Sequence, residues 1–399
     1  MVDIPASRRN LMKGIGVGTG MLATGSLGNG TADKMRRQME EAEKRASESV
    51  AADPTEIPEP IDRFESETHD IELVCEEVTA EIEPGVTFNH MTFGGQVPGP
   101  MIRVREGDTV NLTLSNPERN NKPHNVDFHA CYGTGGGAGA TLVAPGEEAS
   151  VRFKAMYPGA FIYHCAVATM DYHISSGMYG MIVVEPREGL PEVDHEFYFG
   201  QNEVYTQKDT GAEGHHRFDF QAMAAEEPTY VLLNGEKYAY TADNRGPLNV
   251  ETGDTARVFL VTGGPNLTSS FHPIGNVWTK SWAEGAIESE PERNVQTKPV
   301  APGSCFIGEM EFPVPETVKL VDHALSRVTQ KGMMAEIVAE GETDREIFDP
   351  NPDETNGGEV GSDGGDGSEG SGDGQEGNGG GSGGSEGDND GQEGDGGGY

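Results

Sequence analysis

Two stretches of this sequence recur in the same order, and this duplication constrains the fold more than any other feature. Residues 106–114 (EGDTVNLTL) are similar to residues 252–260 (TGDTARVFL), and the tetrapeptide Val-Ala-Pro-Gly occurs at 143–146 and again at 300–303. Chance matches would not keep both their order and a similar spacing along the chain. The sequence therefore predicts two similar domains.

The pattern of apolar residues indicates what these domains are made of. Short runs with period-two alternation are separated by Gly, Pro and Asn; they lie at 71–74, 78–82, 101–104, 110–114, 151–153, 161–164 and 181–184. The same pattern returns after residue 196. Short strands at such spacing are typical of a β-sandwich. We predict an all-β chain with two tandem β-sandwich domains, at 61–190 and 191–345.

The charge of the chain limits its partners. Its 399 residues include 28 Lys or Arg and 67 Asp or Glu, which gives a formal net charge of −39. Such a surface repels nucleic acid and anionic membranes, so neither is predicted as a partner. In molar salt the Debye length falls to about 3 Å, which screens this self-repulsion. The composition thus predicts a halophilic protein, and an ordinary acidic protein of a low-salt organism is the alternative.

Both ends of the chain differ in composition from the predicted domains. Residues 7–13 (SRRNLMK) precede a short, Gly-rich, weakly apolar run at 14–23. The paired Arg residues resemble a twin-arginine signal, which predicts export to an extracellular, cell-surface or periplasm-like space, with a disordered tail as the alternative. We assign residues 1–60 to this signal and a linker. Residues 346–399, which are acidic and rich in Gly, are predicted to be a disordered tail.

One short stretch offers four ligands for a soft, redox-active metal. His164 and Cys165 are adjacent, and His173 and Met178 follow within the same stretch. One Cys with two His and a Met is the ligand set of a blue-copper electron-transfer centre. The His directly before the Cys, His164, suggests a second metal.

A second stretch, His124-Asn-Val-Asp-Phe-His129, supplies further imidazoles. If it is a strand, His124 lies on one face while Asp127 and His129 lie on the other. The adjacent residues His164 and Cys165 also point to opposite sides. Pairing the two strands would place His124 with Cys165 inside the domain and His129 with His164 outside.

In this order, these motifs resemble the copper-containing nitrite reductases, trimers of two-cupredoxin chains. The resemblance covers about residues 61–340 and implies two cupredoxin-like Greek-key sandwiches. It also implies one type 1 and one type 2 copper per chain. The type 1 ligands it implies are His124, Cys165, His173 and Met178, and the type 2 ligands are His129, His164 and a His from a neighbouring subunit.

The internal repeat indicates which His the neighbouring subunit would provide. The run 318–323 follows the second Val-Ala-Pro-Gly and ends in His323, as the run 161–164 follows the first and ends in a His. The resemblance further implies that Asp127 and His272 donate protons and that Ile274 restricts how nitrite sits. It implies a homotrimer that takes electrons from a small redox protein, a blue-copper protein or a cytochrome, and reduces nitrite to nitric oxide.

Two other functions remain as alternatives. A two-domain multicopper oxidase needs His on both sides of the type 1 Cys and His-x-His motifs, whereas Ala166 follows Cys165 and the chain has no His-x-His. A blue-copper electron carrier would explain Cys165 and Met178 but would leave His129 and His323 without a role.

One departure from the family pattern is Tyr172, where we expect a Trp.

Overall fold

The structure is a computed structural model that describes residues 49–352. The twin-arginine-like segment at 7–23 and almost all of the acidic tail lie outside the described residues. Within the described residues, no helix is both long and apolar enough to cross a bilayer.

The first half of the described chain is a sandwich of two sheets. Its strands are β1 (Thr68–Glu83), β2 (Val86–Phe93), β3 (Ile102–Arg105), β4 (Thr109–Asn116), β5 (Asp127–Phe128), β6 (Glu147–Lys154), β7 (Gly159–His164) and β8 (Tyr179–Glu185). A 3-10 helix at Thr134–Gly137 and helix α1 at Met170–Ser175 lie between strands. One sheet has the order β2-β1-β4-β6 and the other β3-β8-β7-β5.

The second half repeats this architecture. Its elements are β9 (His195–Val204), β10 (Gly214–His216), α2 (Phe220–Ala224), β11 (Tyr230–Leu233), β12 (Leu248–Glu251), β13 (Thr255–Gly264), β14 (Ser269–Ile274), β15 (Trp278–Ala283), β16 (Glu292–Val295), β17 (Lys298–Val300), β18 (Ser304–Glu311), β19 (Glu316–Asp322), α3 (Ser326–Thr329) and β20 (Met334–Glu340). The sheets have the orders β11-β9-β13-β18-β15-β16 and β12-β20-β19-β14-β17.

The repeated sequences occupy equivalent places in the two sandwiches. The two similar nonapeptides each run from a turn into a strand, β4 in the first half and β13 in the second. Each Val-Ala-Pro-Gly directly precedes a strand, β6 or β18, that pairs antiparallel with that strand. The predicted all-β fold with two similar sandwiches is confirmed.

The two halves are not independent in this fold. The described residues as far as Asp349 belong to one compact unit, so the predicted boundary at residues 190 and 191 stays a prediction. Strand β10, from the second half, extends the β2 edge of a first-half sheet. A shared cluster of buried side chains, including Ile162, Tyr179 and Phe259, packs between the sandwiches. Val50, from the segment assigned to a linker, is buried in the same cluster.

Strand β1 differs from the prediction. The runs at 71–74 and 78–82 were expected to be separate strands, but β1 is one strand of 16 residues. Residues 68–74 pair parallel with β4, whereas residues 75–83 pair antiparallel with β2. The change of partner occurs inside a continuous strand, and it places the residues just after it beside the loop that leads to β5.

Candidate metal centres

Strands β5 and β7 bring the two His-rich stretches together. Asp127 pairs with His164 across the antiparallel ladder, as the predicted pairing requires. The predicted strand at 124–129 is shorter than expected, since only residues 127–128 are strand. His124 instead forms a separate bridge in which its backbone exchanges two hydrogen bonds with Val143, at 3.0 and 2.9 Å. This bridge fixes His124 even though it lies outside β5.

The first group of donors, the Cys165 cluster, consists of His124, Cys165 and His173, all buried. Cys165 Sγ lies 3.3 Å from His173 Nδ1 and 3.9 Å from His124 Nδ1. Asn125 Oδ1 accepts a hydrogen bond of 2.7 Å from the Ala166 backbone N–H, which anchors the turn after the Cys. The three donor atoms therefore converge on one point inside the first sandwich.

Short local elements deliver His173 and Met178 to this cluster. His173 lies in α1, which begins after Thr169 in a left-handed conformation. The Cys165 backbone N–H donates to the Met178 carbonyl at 3.1 Å, and the Met178 N–H donates to the His173 carbonyl at 3.0 Å. Met178 is fully buried in the same apolar cluster as Cys165. Its backbone is thus tied to both Cys165 and His173.

Burial sets the protonation of the Cys165 cluster. It lowers the pKa of His173 to about 4, helped by the nearby His124 and Lys122. Burial also lowers the pKa of His124, although a hydrogen bond to Glu77 opposes this. The imidazoles are therefore neutral at neutral pH, the form that binds metals. Burial raises the pKa of the Cys165 thiol, so a bound cation is what would stabilise its thiolate here.

The second group, the His164 cluster, consists of Asp127, His129 and His164. His164 Nδ1 lies 3.1 Å from the Cys165 carbonyl, which can only accept, so Nδ1 carries the proton and Nε2 is left with a lone pair. That Nε2 lies 3.2 Å from His129 Nε2. Burial, and then the neighbouring His164, lower the pKa of His129. Two imidazole nitrogens facing each other in this way form a site for a cation.

The remaining predicted residues lie together on the second sandwich. His272 and Ile274 are on β14, and His323 follows β19, which pairs with β14. The rings of His272 and His323 are 5.0 Å apart. His323 and Ile274 are exposed, and His272 borders a cavity of about 460 Å³. Neither His belongs to the His164 cluster of the same chain, whose donor atoms all lie within 4.8 Å of one another.

Comparison with known proteins identifies the family. Residues 74–189 match the multicopper oxidase family, which covers only the first sandwich. Over 301 residues the chain is 44% identical to the copper-containing nitrite reductase of Neisseria meningitidis serogroup B, and the match covers 75% of this chain and 76% of that relative. The chain belongs to the copper-containing nitrite reductases.

Solved structures agree with membership of the copper-containing nitrite reductases. The copper nitrite reductase of Nitrosomonas europaea superposes with a TM-score of 0.62 at 31% identity, covering 70% of this chain and 96% of that one. A multicopper oxidase superposes with a TM-score of 0.61, covering 74% and 99% of the two chains, but at 24% identity it shows the fold alone. The oxidase match of the first sandwich reflects this shared cupredoxin fold.

The donors of this nitrite reductase fit copper. A thiolate with two imidazoles and a thioether nearby suits a soft redox metal, and neutral imidazoles suit copper of either oxidation state. At the His164 cluster, the inward-facing Nε2 atoms of His129 and His164 give two ligands and leave room for others. The assignment of individual residues as ligands stays a prediction.

Two residues of the sites were missed from the sequence. Glu77 Oε1 lies 3.3 Å from His124 Nε2, although the two residues are far apart in sequence. Gly136 lies against Asp127, where an added Cβ would collide with Asp127 Oδ1 and come within 2.6 Å of the Phe128 carbonyl oxygen. The run of three Gly at 135–137 was interpreted only as a loop or bulge. Its positive φ angles and this close approach explain why Gly is needed.

Proposed function

We propose that this chain catalyses the one-electron reduction of nitrite to nitric oxide and water, consuming two protons per nitrite. The observation that carries this proposal is the adjacency of His164 and Cys165. One belongs to the His164 cluster, in which His129 is exposed, and the other to the fully buried Cys165 cluster. A single peptide link therefore joins a site suited to electron transfer with a site open to a small anion.

The two clusters would hold different coppers. The Cys165 cluster with Met178 would hold type 1 copper, and His129 with His164 would hold two of the three imidazole positions of type 2 copper. Copper supplies reversible one-electron transfer at the first site and, at the second, a Lewis acid that withdraws charge from nitrite. Burial of the first site excludes nitrite from it, because Cys165 is inaccessible to solvent.

Protons would come from side chains beside the His164 cluster. Asp127 is part of that cluster, is half-buried, and lies next to His129 in the donor group. His272 Nδ1 lies 2.7 Å from the Gln296 carbonyl and donates to it, which leaves Nε2 free to face substrate. A side chain that gives a proton to the departing oxygen typically contributes a rate factor of about 100 or more. Ile274, exposed beside His272, would restrict the orientation of nitrite.

A homotrimer would complete the type 2 site. Support comes from the exposure of His323 and Ile274 and from their separation from the His164 cluster of the same chain. An adjacent subunit could bring its own His323 to this cluster. His323→Ala should then remove type 2 copper while the thiolate-to-copper absorption persists. Full type 2 occupancy in this variant, or a monomeric native enzyme with two coppers, would refute the shared site.

A small redox protein would dock over His173. The ring of Tyr172 meets that of His173 edge to face, with 5.8 Å between ring centroids. Tyr172 and Phe218 are half-buried with their rings 4.5 Å apart, and Phe220 packs on both and is 52% exposed. An aromatic patch that reaches the surface beside a buried redox ligand suits transient docking of a protein donor. Phe220→Glu should slow reduction by a blue-copper protein or a cytochrome but not by a small chemical reductant. Equal slowing of both would exclude this surface.

The protein would be exported by the twin-arginine route, folded and with copper already bound before it crosses the membrane. Support comes only from the sequence at 7–23. Replacing Arg8 and Arg9 by Lys should retain the protein inside the cell with copper bound. Unchanged export of the double variant would rule out this route.

The experiment that tests the reaction uses purified protein loaded with copper in high salt. With a reductant and nitrite we expect nitric oxide and two coppers per chain. One copper per chain with no gas would instead indicate an electron carrier. Oxygen uptake without nitric oxide would indicate a multicopper oxidase.

A further inference from the structure

The Glu77 carboxylate lies behind the imidazole of His124 in the Cys165 cluster. No part of the proposed reaction uses this carboxylate. Glu77 is on β1, just after this strand changes partner from β4 to β2. Its Oε1 lies 3.3 Å from His124 Nε2, while His124 Nδ1 faces Cys165 Sγ at 3.9 Å. The His124 ring therefore lies between a carboxylate and a thiol.

This contact fixes which nitrogen of His124 is available to a metal. Glu77 also accepts hydrogen bonds from the Lys122 N–H at 2.8 Å, the Asn121 N–H at 3.0 Å and Asn121 Nδ2 at 3.2 Å. A carboxylate that receives several N–H donors is stabilised in its ionised form and can only accept. His124 Nε2 must then carry the proton that it donates to Glu77. Nδ1 is left with its lone pair directed at the cluster.

The same contacts hold the loop that carries His124. The Glu77 backbone N–H donates to Asn120 Oδ1 at 3.1 Å, and Lys122 Nζ lies 3.6 Å from Glu77 Oε2. Glu77 therefore binds residues 120–124 through both its backbone and its side chain. The Glu77 side chain is only 11% exposed, so its charge is weakly screened by solvent.

We propose that Glu77 is a positioning residue that orients His124 and lowers the reduction potential of the metal at the Cys165 cluster. A carboxylate hydrogen-bonded to the outer nitrogen of a ligating imidazole makes the inner nitrogen more basic. Its negative charge also favours the more positive, oxidised ion. The inference rests on the proposed copper site and adds a residue that sets how readily this site passes its electron on.

Glu76 provides a matched control. It is the neighbouring residue of β1, so its side chain points to the other face of the strand, where it pairs with Arg119. Glu76→Gln and Glu77→Gln remove the same charge one residue apart. Only Glu77→Gln removes a carboxylate from His124.

The test is a redox titration of the copper-loaded enzyme in which the thiolate-to-copper absorption reports the fraction of oxidised sites. At the potential where the native protein is half reduced, Glu77→Gln should raise the ratio of reduced to oxidised sites by about tenfold, whereas Glu76→Gln should leave it unchanged. If Glu77→Gln does not fold, Glu77→Asp keeps the charge but shortens the reach to His124, and it should shift the ratio in the same direction by less.

The outcomes separate this inference from the proposed function. An unchanged ratio in Glu77→Gln, or equal shifts in the Glu76 and Glu77 variants, would overturn the role of Glu77 and leave the reductase proposal intact. If Glu77→Gln does not fold and Glu77→Asp is measured instead, an unchanged ratio in Glu77→Asp would likewise overturn the role of Glu77. A native protein without the absorption band would overturn the copper assignment and this inference with it.

Discussion

Contacts of single residues determine how the side chains of the His164 cluster are oriented. The Cys165 carbonyl accepts a hydrogen bond from His164 Nδ1–H, and the other ring nitrogen then faces His129. Asp127 is held in the same way by its surroundings, because the backbone at Gly136 approaches its carboxylate closely. The space that a missing Cβ leaves at Gly136 is therefore part of the site.

Gly136→Ala should displace Asp127 and reduce nitrite turnover by about 100-fold, the usual contribution of a positioned proton donor. The Cys165 cluster lies on the other side of the strands, so the thiolate-to-copper absorption should persist. Gly139→Ala is the control, since its Cβ would meet nothing closer than 3.8 Å. Steady-state rates together with absorption spectra measure both effects. Native turnover in Gly136→Ala would mean that the position of Asp127 does not limit the reaction.

Much of this arrangement could be predicted from residue order alone. Alternation predicted His124 with Cys165 and His129 with His164, and the structure groups these residues in that way although only residues 127–128 of the first stretch are strand. Glu77 could not be found in this way. Its contact depends on how β1 lies against the loop before β5, and no local period of the sequence reports a contact between distant segments.

Contacts between strands β14 and β19 hold the His residues of the second sandwich in place. Asp322 ends β19, is fully buried, and accepts hydrogen bonds from the backbone N–H groups of Ser270 and Ala324, at 3.1 and 3.0 Å. Arg327 Nη1 donates to its other oxygen at 2.6 Å. One carboxylate thus ties β14 to the turn that carries His323. The His323 N–H also donates to the Ser270 carbonyl at 2.7 Å.

Asp322→Asn should weaken copper binding at the type 2 site by about tenfold, in line with other residues that support metal ligands from behind. The amide cannot replace the carboxylate opposite Arg327, so the turn before His323 loosens. Copper content and the type 2 electron paramagnetic resonance signal measure the loss. Asp254→Asn is the control, because Asp254 pairs with His195 at a half-exposed position. Equal loss in both variants would show a general effect of removing charge.

The elements also show where the sequence pattern was insufficient. The predicted runs at 71–74 and 78–82 left Cys75 and the two Glu residues after it outside both strands, yet these residues continue β1 as it passes from one sheet to the other. A strand that changes partner shows no period-two signal at the change, because the faces it buries are set by different neighbours. Tertiary pairing therefore decided what local pattern could not.

At the scale of the whole molecule, a buried ion-pair network joins the two sandwiches. Arg103, on β3, donates to Glu196 at 2.6 Å, and Arg257 binds Glu196 at 2.7 Å and Glu309 at 2.6 Å. Both Arg side chains are almost fully buried. This network fixes the orientation of the first sandwich, with its two clusters, against the second.

Glu196→Ala should destabilise the protein by about 3–5 kcal/mol, because two buried guanidinium groups lose a shared partner. Burial by itself would raise the pKa of Glu196, but Arg103 and Arg257 outweigh it and hold the pKa below its usual value. The stability that Glu196 contributes is therefore present above its unfolded pKa of about 4.3 and is lost as the pH falls through the lower folded value. Denaturant unfolding of both proteins at neutral and acid pH measures this. If the difference in unfolding free energy between the native protein and Glu196→Ala did not become smaller at acid pH, the expected direction of this pH dependence would be contradicted.

We expect an electron held at the Cys165 cluster to reach nitrite only at the His164 cluster. The most direct measurement is rapid mixing of the fully reduced, copper-loaded enzyme with nitrite while the thiolate-to-copper absorption is followed. We predict that the absorption returns in the native enzyme as nitric oxide forms, and that it does not return in His129→Ala. Return at the native rate in His129→Ala, or no return in the native enzyme, would contradict this expectation.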